Sequence, residues 1–235
     1  LWNAQALLAA EAPVQSSKLH YAKRLMQNQD FMGITETHSS RGKVLTLTPN
    51  PHTKELWSHG TNFVAGVGLW INPKFLEQFH EIQESSWLEL LPGRLARLRL
   101  EGPEGSLDIY TAYFQAGTKA EEKASRKHTL NLLIANMDRP ENRLSLVMGD
   151  FNFVLQEEDR VSKAKMNKTG LSDAQEAEWA EEHLWRPMQF HELQQAHFTH
   201  ENGLAYSRLD RIYSNHHPME QLDRHFSCVA SVSYP

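Results

Sequence analysis

Three short apolar stretches each carry an acid: Glu36 in GITETH, Asp150 in VMGDFN and Asp210 in SRLDRIY. A buried carboxylate is costly unless it is paired, hydrogen-bonded or bound to a metal. Each has an ordinary reading by itself. Glu36 can be a salt-bridged acid, Asp150 a turn residue, and Asp210 the partner of Arg208 or Arg211. Together with Asn3, Tyr113 and Asn152 they form an oxygen-rich set at or near the ends of expected strands. If those ends converge, the set suits a hard divalent cation such as Mg²⁺, with Mn²⁺ as the alternative. Such an ion takes one or two carboxylates, waters and a substrate phosphate. Phosphodiester cleavage uses the same parts: a cation to neutralise the phosphate, a base to activate water, and donors to hold the transition-state oxygens.

The stretch VMGDFNFV, Val147 to Val154, concentrates the pattern. Leu146 to Gly149 reads as a core strand, and Gly149 as a residue that lets the chain turn closely under a phosphate. On an extended chain Asp150 and Asn152 share a side, while Phe151 faces the packing.

Around these residues the periodicity predicts the elements that must position them. A helix runs from a cap at Ser16 or Ser17 to about Gln29. FMGITETH is a strand, Val44 to Thr48 alternates like one, and Phe63 to Ile71 is another, with Gly66 and Gly68 marking a close approach or a bulge. Arg94 to Leu100 and Leu107 to Phe114 form a hairpin across EGPEG. A helix covers Glu121 to Met137. Ser145 to Gly149 is a buried strand, Ser172 with Glu176 starts a helix to about Leu184, and Ala205 to Asn215 is a strand. Strict strand–helix alternation is missing, as are GxGxxG and GxxxxGK[ST] motifs. The expected fold is α/β in the α+β sense, with two packed β-sheets flanked by helices in one domain over residues 1–235.

Composition sets outer bounds. The 235 residues are 40% hydrophobic and 23% charged, as in an ordinary globular chain. No apolar run approaches the roughly 20 residues of a membrane span. One cysteine, Cys228, excludes an internal disulfide framework. The 13 histidines make no metal-type cluster, and His216-His217 reads as a loop pair. A net charge of −5 argues against a non-specific nucleic-acid binder while leaving a nuclease open.

The motifs resemble the endonuclease/exonuclease/phosphatase superfamily, and within it the apurinic-type endonuclease domain of non-LTR retrotransposons. The resemblance rests on WNAQALL at Trp2 to Leu8, ITETH at Ile34 to His38, GVGLWI at Gly66 to Ile71, YTAYFQ at Tyr110 to Gln115, GDFN at Gly149 to Asn152 and FTHENGLAYSRLDRIY at Phe198 to Tyr213, in family order. It implies a four-layered, DNase I-like sandwich of mixed sheets and a Mg²⁺-dependent endonuclease that nicks target DNA to prime reverse transcription. It also implies roles. Glu36 is the metal-binding acid and Asn3 stands beside metal and phosphate. Tyr113, with Tyr110 as its rival, contacts the scissile phosphate. Asp150 activates or positions water, Asn152 orients the phosphate, and Asp210 holds a catalytic histidine in its working tautomer. Arg126, Lys127 and Ser207 are the expected substrate contacts. Lys119, Lys123, Lys163, Lys165 and Lys168 could track a DNA backbone or form a solvated surface.

The family's last motif, a Ser-Asp-His triplet, is not found. Asp223 and His225 are separated by Arg224 and precede the strand-like SCVASVS, so they do not replace it. The expectation is a chain cut at both ends that binds Mg²⁺ weakly and cleaves DNA poorly. Its implied partners are DNA and a reverse transcriptase domain in the same polyprotein, at a nuclear site of action and away from membranes. The alternatives are another phosphodiesterase or phosphatase of the superfamily, or a non-catalytic module that positions a neighbour on DNA.

Overall fold

The computed structural model describes residues 1–8, 12–45, 47, 50–60, 65–140, 143–164, 173–193 and 197–216. A first sheet takes the order β1-β2-β4-β3 from β1 (Trp2–Asn3), β2 (Phe31–Thr35), β3 (Lys54–Ser58) and β4 (Val67–Ile71). The second takes the order β10-β13-β8-β7-β6-β5. Its strands are β5 (Trp87–Leu91), β6 (Leu95–Gly102), β7 (Gly105–Tyr113), β8 (Leu144–Asp150), β10 (His191–Glu192) and β13 (Asp210–Ser214). Strands β9 (Arg160–Ser162), β11 (His200–Glu201) and β12 (Ala205–Ser207) form a small third sheet. The two large sheets are mixed: β1–β2 and β7–β8 pair in parallel, the other strands antiparallel.

The layers follow from strand alternation. Leu1, Leu69, Ile71, Leu98, Leu107, Ile109, Met148 and Ile212 pack between the two large sheets. The opposite face of the first sheet, with Trp2, Met32, Ile34 and Trp70, is covered by Ala22 and Met26 of α1 (Ala12–Met26). The opposite face of the second, with Tyr110, Val147, Phe151 and Tyr213, is covered by Leu130 and Leu133 of α4 (Ala120–Asn136). Ala180 of α5 (Ala174–Ala180) completes that cover. Short helices α2 (Arg41–Leu45) and α3 (Pro73–Leu76) lie in the connections. The result is the expected pair of mixed sheets flanked by helices.

Several boundaries differ from the sequence expectation. Ser16 and Ser17 lie inside α1, which starts at Ala12 with Pro13 in its first turn, where a fixed φ and a missing N–H cost nothing. Val44 and Leu45 close α2 instead of opening a strand. Ser40 Oγ accepts the Lys43 N–H at 3.4 Å and starts that turn, while residues 46, 48 and 49 lie outside the described set. The Phe63 strand begins at Val67, with 61–64 undescribed. Ser172 is also outside, and the helix past Ala180 widens into a π-turn over Glu181–Trp185.

The expected strand from Ala205 to Asn215 is two strands in different sheets. The break falls at Arg208 and Leu209, where the Arg208 N–H donates to Asp159 O at 2.8 Å. Buried Asp159 accepts from both guanidinium groups, Arg208 at 2.8 Å and Arg211, and both reach Glu192 as well. The corner is therefore fixed by a desolvated ion network on Asp159 and Glu192.

Candidate active site

Three neighbouring strands of the second sheet place Tyr113, Asp150 and Asp210 side by side. Tyr113 is in register with Asp150 across the parallel β7–β8 pair, and Asp150 with Asp210 across the antiparallel β8–β13 pair. All three side chains share the face turned toward the first sheet. Opposite them, Asn3 ends β1 and Glu36 follows the last residue of β2, with Asn3 in register with Thr35. Hydrogen bonds cross the gap. Asn3 Nδ2 donates to Glu36 Oε1 at 3.2 Å and to Asp150 Oδ2 at 3.1 Å, and Tyr113 OH donates to Glu36 Oε1 at 3.2 Å. Residues 147 positions apart in the chain thus meet at one rim of the sandwich.

The backbone there is bent sharply. Gln5, Ala6, Glu36, His38, Ala65 and Asn152 all have φ between 45° and 69°, a left-handed region that costs a side chain energy. Main-chain bonds hold these bends. Ala6 and Leu7 N–H groups donate to Glu36 O, and Thr37 and His38 N–H groups donate to Gly66 O and Ala65 O. Lys18 of α1, itself buried, donates to Ala4 O at 3.0 Å and to Gln5 O.

Asn152 reaches the rim by a turn rather than by strand alternation. Strand β8 ends at Asp150, whose Oδ1 accepts the Asn152 N–H at 3.0 Å, and Asn152 Nδ2 donates to Phe114 O at 2.9 Å. Asp150 caps its own turn, as Asp residues do. Phe151 points the other way, as expected, and stacks on Phe114 at 4.8 Å. The reading of Gly149 is corrected. A Cβ there would lie 2.2 Å from Ala112 O, so the glycine is required by the approach of β7 to β8 and not by a phosphate.

Charge is concentrated and poorly hydrated. Asp150 is 4% exposed and Asp210 2%. Burial first, then the facing Asp210 carboxylate, pushes Asp150 well above the carboxylate range. Burial pushes Asp210 up to about 7, against the lowering effect of its Thr199 hydrogen bond. Two such acids opposite each other favour sharing one proton. Burial, and next the Glu36 charge, raises the Tyr113 phenol, which stays protonated as a donor. The donors that reach Glu36 and Asp150 are all neutral. Hard oxygen ligands with excess negative charge fit a divalent cation. Among the described residues no three His, Cys, Asp or Glu side chains close into a metal cage. An open site completed by water and phosphate is the form Mg²⁺ takes.

Six expected residues therefore converge: Asn3, Glu36, Tyr113, Asp150, Asn152 and Asp210. Tyr110, the alternative to Tyr113, is on the helix-covered face and donates to Asn136 O at 2.8 Å. Three expected substrate contacts do not converge. Arg126 is 1% exposed and forks onto Glu176 at 2.7 Å, with further bonds to Gln115 O and Gly117 O, so it is a strut between α4 and α5. Lys127 sits over the Trp179 ring at 5.0 Å, on the outer helical layer. Ser207 is buried in the small sheet and accepts from Arg160 Nε at 3.1 Å. Of the expected backbone-tracking lysines, Lys123 pairs with Glu176 at 3.7 Å and Lys163 with Glu201; Lys165 and Lys168 lie outside the described residues, as do Cys228, Asp223 and His225.

The rim also holds residues that sequence reading passed over. Thr199 accepts the Leu209 and Asp210 N–H groups at 3.0 Å. Arg94 lies with its guanidinium 4.6 Å from the Tyr113 ring centroid. A buried lysine inside an amphipathic helix gives no sequence signal. Arg94 gives a weak one, an arginine between the turn LPG and a strand.

With this geometry in place, a sequence model of the Endonuclease/Exonuclease/phosphatase family matches residues 1–225. The chain belongs to that family. Several solved structures share this sandwich. An AP endonuclease from Archaeoglobus fulgidus superposes with a TM-score of 0.61 at 15% identity, covering 91% of this chain and 84% of that one. TDP2 from D. rerio, solved with a single-strand DNA product, superposes at 0.58 with 14% identity, covering 91% and 81%. A humanized D. rerio TDP2 gives 0.57 at 14% identity, covering 91% and 80%. At these identities the likeness is one of fold. No curated protein sequence matches this chain significantly. None of its described helices is long and apolar enough to cross a membrane.

Proposed function

We propose that this chain is a divalent-cation-dependent DNA endonuclease domain of the non-LTR retrotransposon type, which nicks target DNA to prime reverse transcription. One observation carries the reading: Asn3, Glu36, Tyr113, Asp150, Asn152 and Asp210 come from five separate segments and meet at one rim in a hydrogen-bonded, acid-rich cluster. The retrotransposon assignment rests on the wording of WNAQALL and SRLDRIY. A DNA substrate is in keeping with neighbours that are an AP endonuclease and a TDP2 bound to a DNA product. The site of action is then nuclear, and the partner a reverse transcriptase domain.

In this reading Glu36, with Asp150 and Asn3 beside it, would hold Mg²⁺ or Mn²⁺, which would supply charge neutralisation at the phosphate. Asp150 orients and deprotonates the attacking water. The Tyr113 hydroxyl and the Asn152 amide are donors to the phosphate oxygens, where negative charge grows in the transition state. Asp210 takes up the one proton that the facing pair shares when Asp150 acts as base. The histidine that it is expected to orient belongs to the Ser-Asp-His triplet, which is not found in this sequence.

The test is nicking of supercoiled plasmid with and without Mg²⁺, alongside Mn²⁺ binding read by electron paramagnetic resonance. Asp150→Ala is expected to abolish nicking, by about a thousandfold or more. Glu36→Gln is expected to weaken Mn²⁺ binding about tenfold or more. A chain that binds no divalent cation and nicks equally well as Asp150→Ala would overturn the reading.

A further inference from the structure

Arg94 sits between the turn at Gly93 and strand β6, and nearly everything it touches belongs to the segment of Tyr113. Its carbonyl accepts the Tyr113 N–H at 2.7 Å. Its Nη2 donates to Gln115 Oε1 at 2.7 Å, and Nη1 makes two long contacts, 3.4 Å to Tyr113 O and 3.5 Å to Phe114 O. The guanidinium carbon stands 4.6 Å from the Tyr113 ring centroid. The long contacts are weak by geometry, so the ring contact and the Gln115 bond carry the arrangement. On the same ring the hydroxyl donates to Glu36 Oε1 at 3.2 Å.

We infer that Arg94 is a positioning residue of the cleavage site, fixing the plane and height of the Tyr113 ring so that its hydroxyl is aimed at Glu36 and the phosphate beside it. The inference rests on the active-site reading above. The Tyr113 ring is buried beside Ala65, Val67 and Ala96, which leave one face to the guanidinium. The planar cation on that face completes the packing that fixes the ring, and the bond to Gln115 keeps the cation itself in place. Lysine offers the charge without the plane, so it cannot substitute fully. Burial lowers the Arg94 guanidinium from its ordinary value, and Tyr113 first, then Glu36 and Asp150, offset part of that lowering. Its effect on catalysis runs through the phenol, so removing the hydroxyl removes the effect.

The experiment is a double-mutant cycle in the full chain, with plasmid nicking in Mg²⁺ as the readout and plasmid concentration varied. Arg94→Met is expected to lower kcat about tenfold while KM changes less than about twofold. In a Tyr113→Phe background the same change is expected to alter kcat less than about twofold. Arg94→Lys falls between. Equal losses in both backgrounds, or a loss confined to KM, would overturn the inference. A second measurement does not depend on activity. In ¹³C-tyrosine-labelled protein the Tyr113 ring signal, assigned by its loss in Tyr113→Phe, is expected to move in Arg94→Met and stay put in Lys127→Met. An unmoved signal in folded Arg94→Met overturns the inference as well. Asp150→Ala separates the two claims: retained nicking there defeats the active-site reading, whereas its loss with a silent Arg94→Met defeats only the role of Arg94.

Discussion

Asp210 carries the clearest pH signature of any single residue here. Its folded-state value is raised to about 7 from 3.8, mainly by burial. An unfolded chain releases this proton near 3.8, so between about pH 4 and pH 7 unfolding releases a proton and stability falls as pH rises. Above about 7 the penalty is constant, and below about 4 it is absent. Asp210→Asn removes it. In chelator at pH 8 the variant is expected to melt roughly 5–10 °C above the parent, corresponding to a few kcal/mol, with no difference at pH 4. Equal melting temperatures at pH 8 would show that the acid is not desolvated. Mg²⁺ should raise the parent's melting temperature at pH 8 more than the variant's, since a cation offsets the same buried charge.

At the scale of elements, the pairing of β7 with β8 sets Tyr113 against Asp150, and Gly149 sets the pairing. Gly149→Ala forces a methyl to 2.2 Å from Ala112 O and 2.9 Å from its carbonyl carbon, so the strands must separate. The expected cost is about 3 kcal/mol, read as a lower denaturation midpoint with nicking impaired beyond the loss of folded protein. Arg126 joins α4 to α5 through Glu176. Arg126→Met leaves that carboxylate only its long contact to Lys123 at 3.7 Å and is expected to cost about 3 kcal/mol, with the salt dependence of DNA binding unaltered. A change in salt slope would restore Arg126 as a phosphate contact. Helix and strand identities at these elements were legible in sequence because their apolar periods are long. The corner at Arg208 and Leu209 was not. SRLDRIY reads as one alternating run, and only the distant Asp159 shows where it breaks.

Over the whole molecule, the two sheets are tied together at the rim. The Gly66 N–H donates to Gly93 O at 2.9 Å, the Gly93 N–H to Ser58 Oγ at 2.8 Å, and Ser58 Oγ to Glu89 Oε2 at 2.7 Å. These bonds hold Glu36 on one sheet facing Asp150 on the other. Net charge is −5, so a DNA substrate must be met by a local basic surface rather than by the overall field. DNA affinity is then expected to fall steeply with salt, each neutralised phosphate adding roughly 0.9 to the log–log slope. A flat response measured by fluorescence anisotropy would count against DNA.

The sequence by itself determined the residue types of the site and their order: acids and amides placed where apolar strands end. It also determined the layered fold, since alternation at strands and helical spacing at Leu130 and Leu133 dictate which faces are buried. Tertiary structure decided which of these residues stand together. Tyr113 was separated from Tyr110 because β7 alternates and only one face meets Glu36. Arg126 and Ser207 left the site because their polar groups met partners in the interior. Lys18, Arg94 and Thr199 joined it through contacts between segments far apart in the chain. Local pattern carries information about faces and ends. Which ends converge depends on long-range strand register, and no short stretch of sequence contains it.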